Sequence, residues 1–241
     1  MIYKQHLETP SYLCDIDDHL HPWAAVRLCQ EVTEYHGNAT GIGFQKLVQM
    51  NHAWVLTRAL YNIYRLPDAF EPIDLSTWSR GNNGLIAMRD YRMLAPSGEE
   101  LLTGTSYWAL IDMSTRHVVR LNNVISNYEN HDILATEHAE IPKIKLPPLD
   151  NVQPALQMQI PFSMLDHTRH MNNSEYIKLI FDVLRRADFT TSQPFVLELN
   201  FLLESRGDEL LTLTHTEADN SHYILISNPR GISVTARIAK L

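Results

Sequence analysis

The run Asp166-His167-Thr168-Arg169-His170-Met171-Asn172-Asn173 gathers a carboxylate, two imidazoles, a hydroxyl and two amides in one short stretch. Imidazole is the side chain best suited to moving protons near neutral pH. The run directly precedes Tyr176, Ile177, Ile180, Val183, Leu184 and Ala187, apolar residues at helical spacing, with Lys178, Asp182, Arg185 and Arg186 on the other face. Asn172 followed three residues later by Glu175 has the form of a capping box with Asn172 as N-cap. His170 then falls beside a helix N-terminus, where free N–H groups and the positive dipole end favour negative charge. A carbonyl turning into an oxyanion is such a charge, so the place suits acyl transfer. A hydrolase also needs a second group to take a proton from water or to orient the imidazole. Glu204 is the candidate. It ends the strand-like run Phe195 to Glu204, where Leu199, Phe201 and Leu203 share one face and Glu204 takes the other with Asn200 and Leu202.

Each of these residues also has a plainer reading. Asn172 can serve as a helix cap alone, and Asp166 can hold its loop through an Asx-type turn. His170 can be a hydrogen-bonded structural histidine, and Glu204, beside Arg206-Gly207-Asp208, a solvated turn residue. His167 and Arg169 are expected to face solvent. No metal is expected here, because two histidines three apart with one Asp lack a recognised ligand spacing.

The elements around this run fall into two halves. Pro142, Pro147, Pro148 and Pro154 mark residues 126–154 as an extended linker, because prolines propagate neither a helix nor a central strand. Before it, residues 1–125 read as an extended segment at Ser11 to Ile16 and a helix from Pro22. Strands follow at Trp54 to Arg65, Ile73 to Trp78, Leu85 to Leu94, Leu102 to Asp112 and Val118 to Leu121. After it, residues 155–241 read as an extended Leu156 to Phe162 and the helix already described. Strands are expected at Phe195 to Glu204, Leu210 to Thr216, Tyr223 to Ile226 and Ile232 to Leu241. One long helix followed by antiparallel strands, twice over, predicts an α+β fold of two units, each a curved sheet wrapped around a helix: a tandem hot-dog. Asp17 and His21, before the first helix, repeat the Asp-x-x-x-His spacing of Asp166 and His170.

Composition narrows the function classes. The 241 residues are 44% hydrophobic and 20% charged, ordinary for a globular chain. A net charge of −8 argues against non-specific binding to nucleic acid, whose affinity comes from Lys and Arg on phosphates. A local basic patch for an acidic partner remains compatible with it. Cys14 and Cys29 are too few for a disulfide framework and are expected as small core residues. Neither a signal-peptide pattern at the start nor an apolar run of membrane-spanning length is present, so a cytoplasmic protein is expected.

Asp166-x-Thr168-x-His170-Met171-Asn172-Asn173-x-x-Tyr176-Ile177 resembles the Asp-x-Asn-x-His-Val-Asn-Asn motif of the acyl-acyl carrier protein thioesterases of plants and bacteria. The resemblance continues through Trp54-Val55-Leu56-Thr57-Arg58, Ile73-Asp74-Leu75-Ser76-Thr77-Trp78-Ser79, and Ser106-Tyr107-Trp108-Ala109-Leu110-Ile111-Asp112 with Ser114-Thr115-Arg116. It implies a double hot-dog with catalysis in the C-terminal unit and an acyl-chain pocket largely in the N-terminal unit. The family's Asp, His and Glu carry over to Asp166, His170 and Glu204. The implied reaction is hydrolysis of a fatty acyl thioester by activated water, without cofactor or metal. Thr168, with Asn172 and N–H groups of the helix start, would stabilise the oxyanion. The implied partner is acyl carrier protein with its acyl-phosphopantetheine arm, and a homodimer is one assembly the fold allows.

The chain departs from the family at Thr168, which replaces the usual Asn, and at Ser205, which replaces the Cys that often follows the Glu. A cysteine nucleophile is thereby ruled out at that point, and Ser205 has no support of its own as one. Three other readings compete: an acyl-coenzyme A thioesterase of the same fold, a hydratase, and a non-catalytic acyl-binding module. A hydratase would be expected to use a carboxylate within the central helix, whereas Glu175 and Asp182 read as polar-face residues.

Overall fold

Five strands in each half are joined by antiparallel ladders into one sheet. The computed structural model describes residues 1–125, 129–149 and 152–241. Its strands are β1 (Tyr3–Glu8), β2 (His52–Ile63), β3 (Pro72–Asn82), β4 (Ile86–Leu94) and β5 (Glu100–Asp112), then β6 (Pro154–Gln159), β7 (Phe195–Phe201), β8 (Leu210–Ala218), β9 (Ser221–Asn228) and β10 (Gly231–Lys240). The helices are α1 (Pro22–Ala39), α2 (Phe44–Gln49) and α3 (Asn173–Arg186).

The spatial order is β1-β3-β4-β5-β2-β7-β10-β9-β8-β6. Read outward from the centre, each half repeats the other: β2 answers β7, β5 answers β10, and β1 answers β6 at the edges. The halves join where β2 pairs antiparallel with β7, from Arg58 opposite Asn200 to Ile63 opposite Phe195. The fold is therefore the expected α+β tandem hot-dog.

Burial explains why the helices lie against this sheet. In α3, Tyr176, Ile177, Ile180, Val183 and Leu184 are all buried, the stripe that the spacing predicts. In α1, Pro22 occupies the first turn, where its missing N–H costs nothing, and Ala25, Cys29 and Val32 are buried. Residues of both helices and both sheet halves form one continuous apolar cluster, from Leu20 and Val26 to Ile180 and Val234. The two units share a single core.

Several expectations need correcting. Ser11–Leu13 is a short 3-10 turn, and the N-terminal edge strand is Tyr3–Glu8, whose alternation is weak. Val118 makes only an isolated bridge to Ile111, and Leu121–Asn123 is a 3-10 turn. β7 stops at Phe201, so Glu204 stands in an irregular segment beyond the strand. Within the expected linker, residues 126–128 and 150–151 lie outside the described residues. The part at 129–149 carries no helix or strand and is pinned to the N-terminal half. There Trp78 Nε1 donates to the Ile133 carbonyl at 2.9 Å, and Arg58 to that of Ile141 at 2.9 Å.

Candidate active site

Two turns of chain, one before each long helix, share the same backbone hydrogen bonds. In the C-terminal turn Asp166 N donates to the His170 carbonyl (2.9 Å), Arg169 N to that of Asp166 (2.9 Å), and Met171 N to that of Ser205 (2.9 Å). In the N-terminal turn Asp15 N donates to His19 O (2.8 Å), Asp18 N to Asp15 O (3.2 Å), and Leu20 N to Pro67 O (2.8 Å). Arg169 and Asp18 both sit at positive φ, 65° and 61°. The internal repeat is thus real, but its register differs from the one expected. Asp166 answers Asp15 and His170 answers His19, not Asp17 and His21. His21 stands at the cap position answering Asn172, with no side-chain cap bond.

The C-terminal turn orders its chemistry through Asp166. Its Oδ1 accepts the Thr168 backbone N–H at 2.8 Å and the Thr168 hydroxyl at 2.5 Å. Thr168 Oγ1 lies 3.3 Å from His170 Nδ1. Because the single Thr168 proton is committed to Asp166, its oxygen is the acceptor and Nδ1–H the donor. This leaves Nε2 as the ring nitrogen that exchanges a proton with the rest of the site. Thr168, expected as an oxyanion donor, has no proton left for that role.

On the far side of the ring, His170 Nε2 lies 3.1 Å from Glu204 Oε1. The main chain around Glu204 is fastened by two further residues. Arg230 donates to its carbonyl at 2.6 Å and Asn228 at 3.2 Å. Its carboxylate also receives Arg206 at 3.2 Å and, on Oε2, Arg116. Arg116 belongs to the N-terminal half, on a turn after β5 where Asp112 Oδ1 accepts Thr115 N at 2.7 Å and Ser114 N at 3.0 Å. Partial burial pushes the Glu204 carboxyl up. The charge of His170 and the guanidinium groups of Arg206 and Arg116 outweigh this and hold it below the usual carboxylate range. Arg116 entered the sequence reading only as part of a family-like stretch. Its role is visible only once the sheet brings the turn after β5, across β2, to the end of β7.

The helix start differs from the expected capping box in one respect. Asn172 caps α3, its Oδ1 accepting Ser174 N at 2.9 Å and the Ser174 hydroxyl at 2.7 Å. Glu175 does not reach back to the cap. It is buried, not on the polar face, and accepts Arg27 of α1 at 2.7 Å. A carboxylate engaged in this inter-helix ion pair is not a free acid for hydratase chemistry. Ser205 is fully buried, with its hydroxyl 2.9 Å from Ser233 Oγ and accepting Asn228 Nδ2 at 3.1 Å, so no substrate carbonyl can reach it.

A cavity of 440 Å³ opens beside this turn. Asp166, Thr168, Asn172 and Asn173 line it from the C-terminal half, but His170 and Glu204 do not. Its body lies in the N-terminal half, among residues such as Leu47, Trp54, Ala87, Met88 and Trp108. The short α2 forms part of its wall and packs Phe44 edge-on against His167, with ring centroids 4.0 Å apart. Gly43 makes that placement possible: a Cβ there would lie 1.9 Å from Asn38 Oδ1.

A curved antiparallel sheet holding a long helix in each half, with an Asp–His–Glu cluster beside an internal cavity, defines a tandem hot-dog protein. The chain belongs to the acyl-ACP thioesterase family: the family's N-terminal domain matches residues 1–128 and its C-terminal domain residues 150–234. It is 23% identical over 87% of its length to the chloroplastic acyl-[acyl-carrier-protein] hydrolase FATB3 of Cuphea viscosissima. It is also 23% identical over 98% of its length to the chloroplastic oleoyl-acyl carrier protein thioesterase 2 of Arabidopsis thaliana. It spans 53% and 68% of the lengths of these two relatives. A solved acyl-ACP thioesterase of Bacteroides thetaiotaomicron has the same fold, with a TM-score of 0.86, 18% identity, and coverage of 99% of this chain and 97% of that one. No helix among the described residues is long and apolar enough to cross a membrane.

Proposed function

We propose that this protein hydrolyses fatty acyl thioesters of acyl carrier protein, with His170 as base and Glu204 as the group that positions water and stabilises the resulting imidazolium. The observation that carries this reading is the His170–Glu204 contact of 3.1 Å beside a 440 Å³ cavity, in a chain of this family. The Nδ1–H to Thr168 contact leaves Nε2 as the nitrogen that exchanges a proton, pairing with Glu204 when it carries one and accepting from water when it does not. A water bound to the carboxylate gives a proton to Nε2 as its oxygen attacks the thioester carbonyl. The C–S bond breaks, the fatty acid forms, and the imidazolium returns the proton to the departing thiolate. Asn172, whose Oδ1 is held as the cap, keeps its amide N–H₂ for the oxyanion, together with the first N–H groups of α3.

The apolar chain occupies the N-terminal cavity, a ligand that needs burial rather than chemistry. His170 and Glu204 each keep about a quarter of their side-chain surface exposed, which leaves room for a phosphopantetheine arm entering from solvent. Within one chain, the β2–β7 ladder already pairs the two hot-dog units, so the reading needs no second copy.

The test is turnover of matched acyl-carrier-protein and coenzyme A thioesters over a ladder of chain lengths. His170→Ala and Glu204→Ala each lower hydrolysis by roughly a hundredfold or more, the scale of acid–base catalysis, at unchanged melting temperature. A preference for the coenzyme A esters moves the substrate class. Acyl binding without turnover in the parent protein overturns the enzymatic reading.

A further inference from the structure

On the outer hairpin of the C-terminal half, three potential metal ligands meet on one face. His215 and Glu217 are two residues apart on β8, and His222 on β9 stands directly across from Glu217. These are the one group of at least three His, Cys, Asp or Glu side chains among the described residues whose ligand atoms converge, all within 4.8 Å of one another. We propose that His215, Glu217 and His222 form a binding site for a divalent transition cation, zinc foremost, with a fourth position left to water.

The distances argue for convergence on a common point. His215 Nε2 lies 3.1 Å from His222 Nδ1, Glu217 Oε1 lies 3.4 Å from His222 Nδ1, and it lies 4.0 Å from His215 Nε2. A tetrahedral ion with bonds of about 2.0–2.1 Å sets its ligand atoms about 3.3 Å apart. Two edges already fall near this value. The third closes by a small rotation of Glu217, whose side chain is 61% exposed.

The two imidazoles are held in place before any ion arrives. Their rings stack with centroids 5.3 Å apart and planes 21° from parallel, and Phe189 packs edge-on against His222 at 5.3 Å. Two imidazoles and one carboxylate suit a borderline cation such as zinc better than magnesium or calcium, which favour all-oxygen sites. None of the three residues lines the active-site cavity. The inference therefore stands apart from the proposed hydrolysis. The ion would clasp β8 to β9 near the hairpin tip.

The test uses the full chain, stripped of metal by chelator and titrated with Co²⁺, then with Zn²⁺ in competition. The expected result is one equivalent of Co²⁺ with the intense visible bands of a four-coordinate site, displaced by Zn²⁺, and a melting temperature that rises with Zn²⁺. His222→Gln abolishes the bands. Glu217→Gln, at an exposed position, weakens Co²⁺ binding roughly tenfold or more without changing the metal-free melting temperature. Absence of the bands, a weak six-coordinate spectrum, or affinity unchanged in both variants overturns the site. The last outcome places the ion on another of the twelve histidines.

Discussion

The Thr168 hydroxyl donates to Asp166 at 2.5 Å while its oxygen faces His170 Nδ1 at 3.3 Å, so one side chain relays the loop carboxylate to the imidazole. Thr168→Val keeps the shape and removes the relay. Losing such a hydrogen bond costs about 1–3 kcal/mol, roughly a 5- to 150-fold fall in kcat. Thr168→Asn restores a side chain able to accept from Nδ1–H and is expected to retain most of the rate. Because Thr168 positions the ring, the Val variant also alters the pH dependence of kcat. An unchanged rate and pH profile in the Val variant would reduce Thr168 to loop support.

Arg116 and Glu204 belong to different halves, yet their side chains form an ion pair. Removing Arg116 takes away one of the charges that hold the Glu204 carboxyl low, so its pKa must rise. In Arg116→Ala, the ¹³C resonance of the Glu204 carboxyl is expected to titrate at higher pH than in the parent protein, and the acid limb of kcat/KM to move the same way. A titration that stays in place shows that Arg116 contributes nothing to the electrostatics of the site.

Asp166, His170 and Glu204 were legible in the sequence because a local motif and a family-like pattern mark them. The Asn172 cap and the α3 stripe were legible for the same local reason. What escaped depends on contacts across the sheet. Arg116 and Glu204 are joined only by folding. Glu175 looked polar from its helix position, and its burial is decided by Arg27 on the other helix. The strand Tyr3–Glu8 is an edge whose outward side chains are polar and whose apolar positions are few, so period two is hard to see. The repeat shows in the sequence, but its register is ambiguous by two residues there, because Asp-x-x-x-His occurs twice in Asp15 to His21. Only the hydrogen bonds tell the copies apart.

Arg65 joins the connection after β2 to two other turns. It donates to both Glu71 oxygens, at 2.8 and 2.9 Å, and to Glu99 at 3.0 and 3.1 Å. The Arg65 hydrogen bonds hold the Glu71 carboxyl below its usual range against the opposing effect of partial burial. A carboxyl lowered in the folded state stabilises the fold above its unfolded pKa, near 4.3, and loses that contribution as pH falls through the folded value. Arg65→Met is therefore expected to cost about 1 kcal/mol at pH 7, about 2–4 °C in melting temperature. The deficit shrinks as pH falls below the unfolded value and through the lower folded one. A deficit independent of pH assigns the loss to packing of the Arg65 stem.

Ser205→Ala separates activated water from a serine nucleophile. The hydroxyl is enclosed by Ser233 and Asn228, so its loss leaves buried partners unsatisfied and lowers stability by about 1–3 kcal/mol. The chemical step is expected to stay within a few-fold of the parent at temperatures where the variant is folded. Loss of turnover to the level of His170→Ala, with the fold intact by circular dichroism, would restore Ser205 as a nucleophile.

The two turns before the helices share a backbone and differ in chemistry, so the N-terminal copy is a built-in control. There His19 Nδ1 pairs with Asp68 at 2.7 Å, both side chains largely exposed. Asp68 stands where Arg206 stands in the other half, because His19 bridges Asp68 as His170 bridges Arg206. Counting back by the same register, the position of Glu204 is held by Leu66, buried and without an ionisable group. The N-terminal turn thus keeps an aspartate and a histidine but has no carboxylate at the position of Glu204; its Asp68 pairs with Nδ1 instead. Asp17 further replaces Thr168, adding a negative charge where the other half has a hydroxyl relay. His19→Ala is expected to leave kcat within about twofold of the parent, since it removes only an exposed ion pair of small energetic worth. His170→Ala loses roughly a hundredfold or more. The comparison should be made on one acyl-carrier-protein substrate at saturation, with melting temperatures measured beside it. If His19→Ala folds and is as inactive as His170→Ala, both turns take part in the chemistry, and the assignment of catalysis to the C-terminal half alone fails.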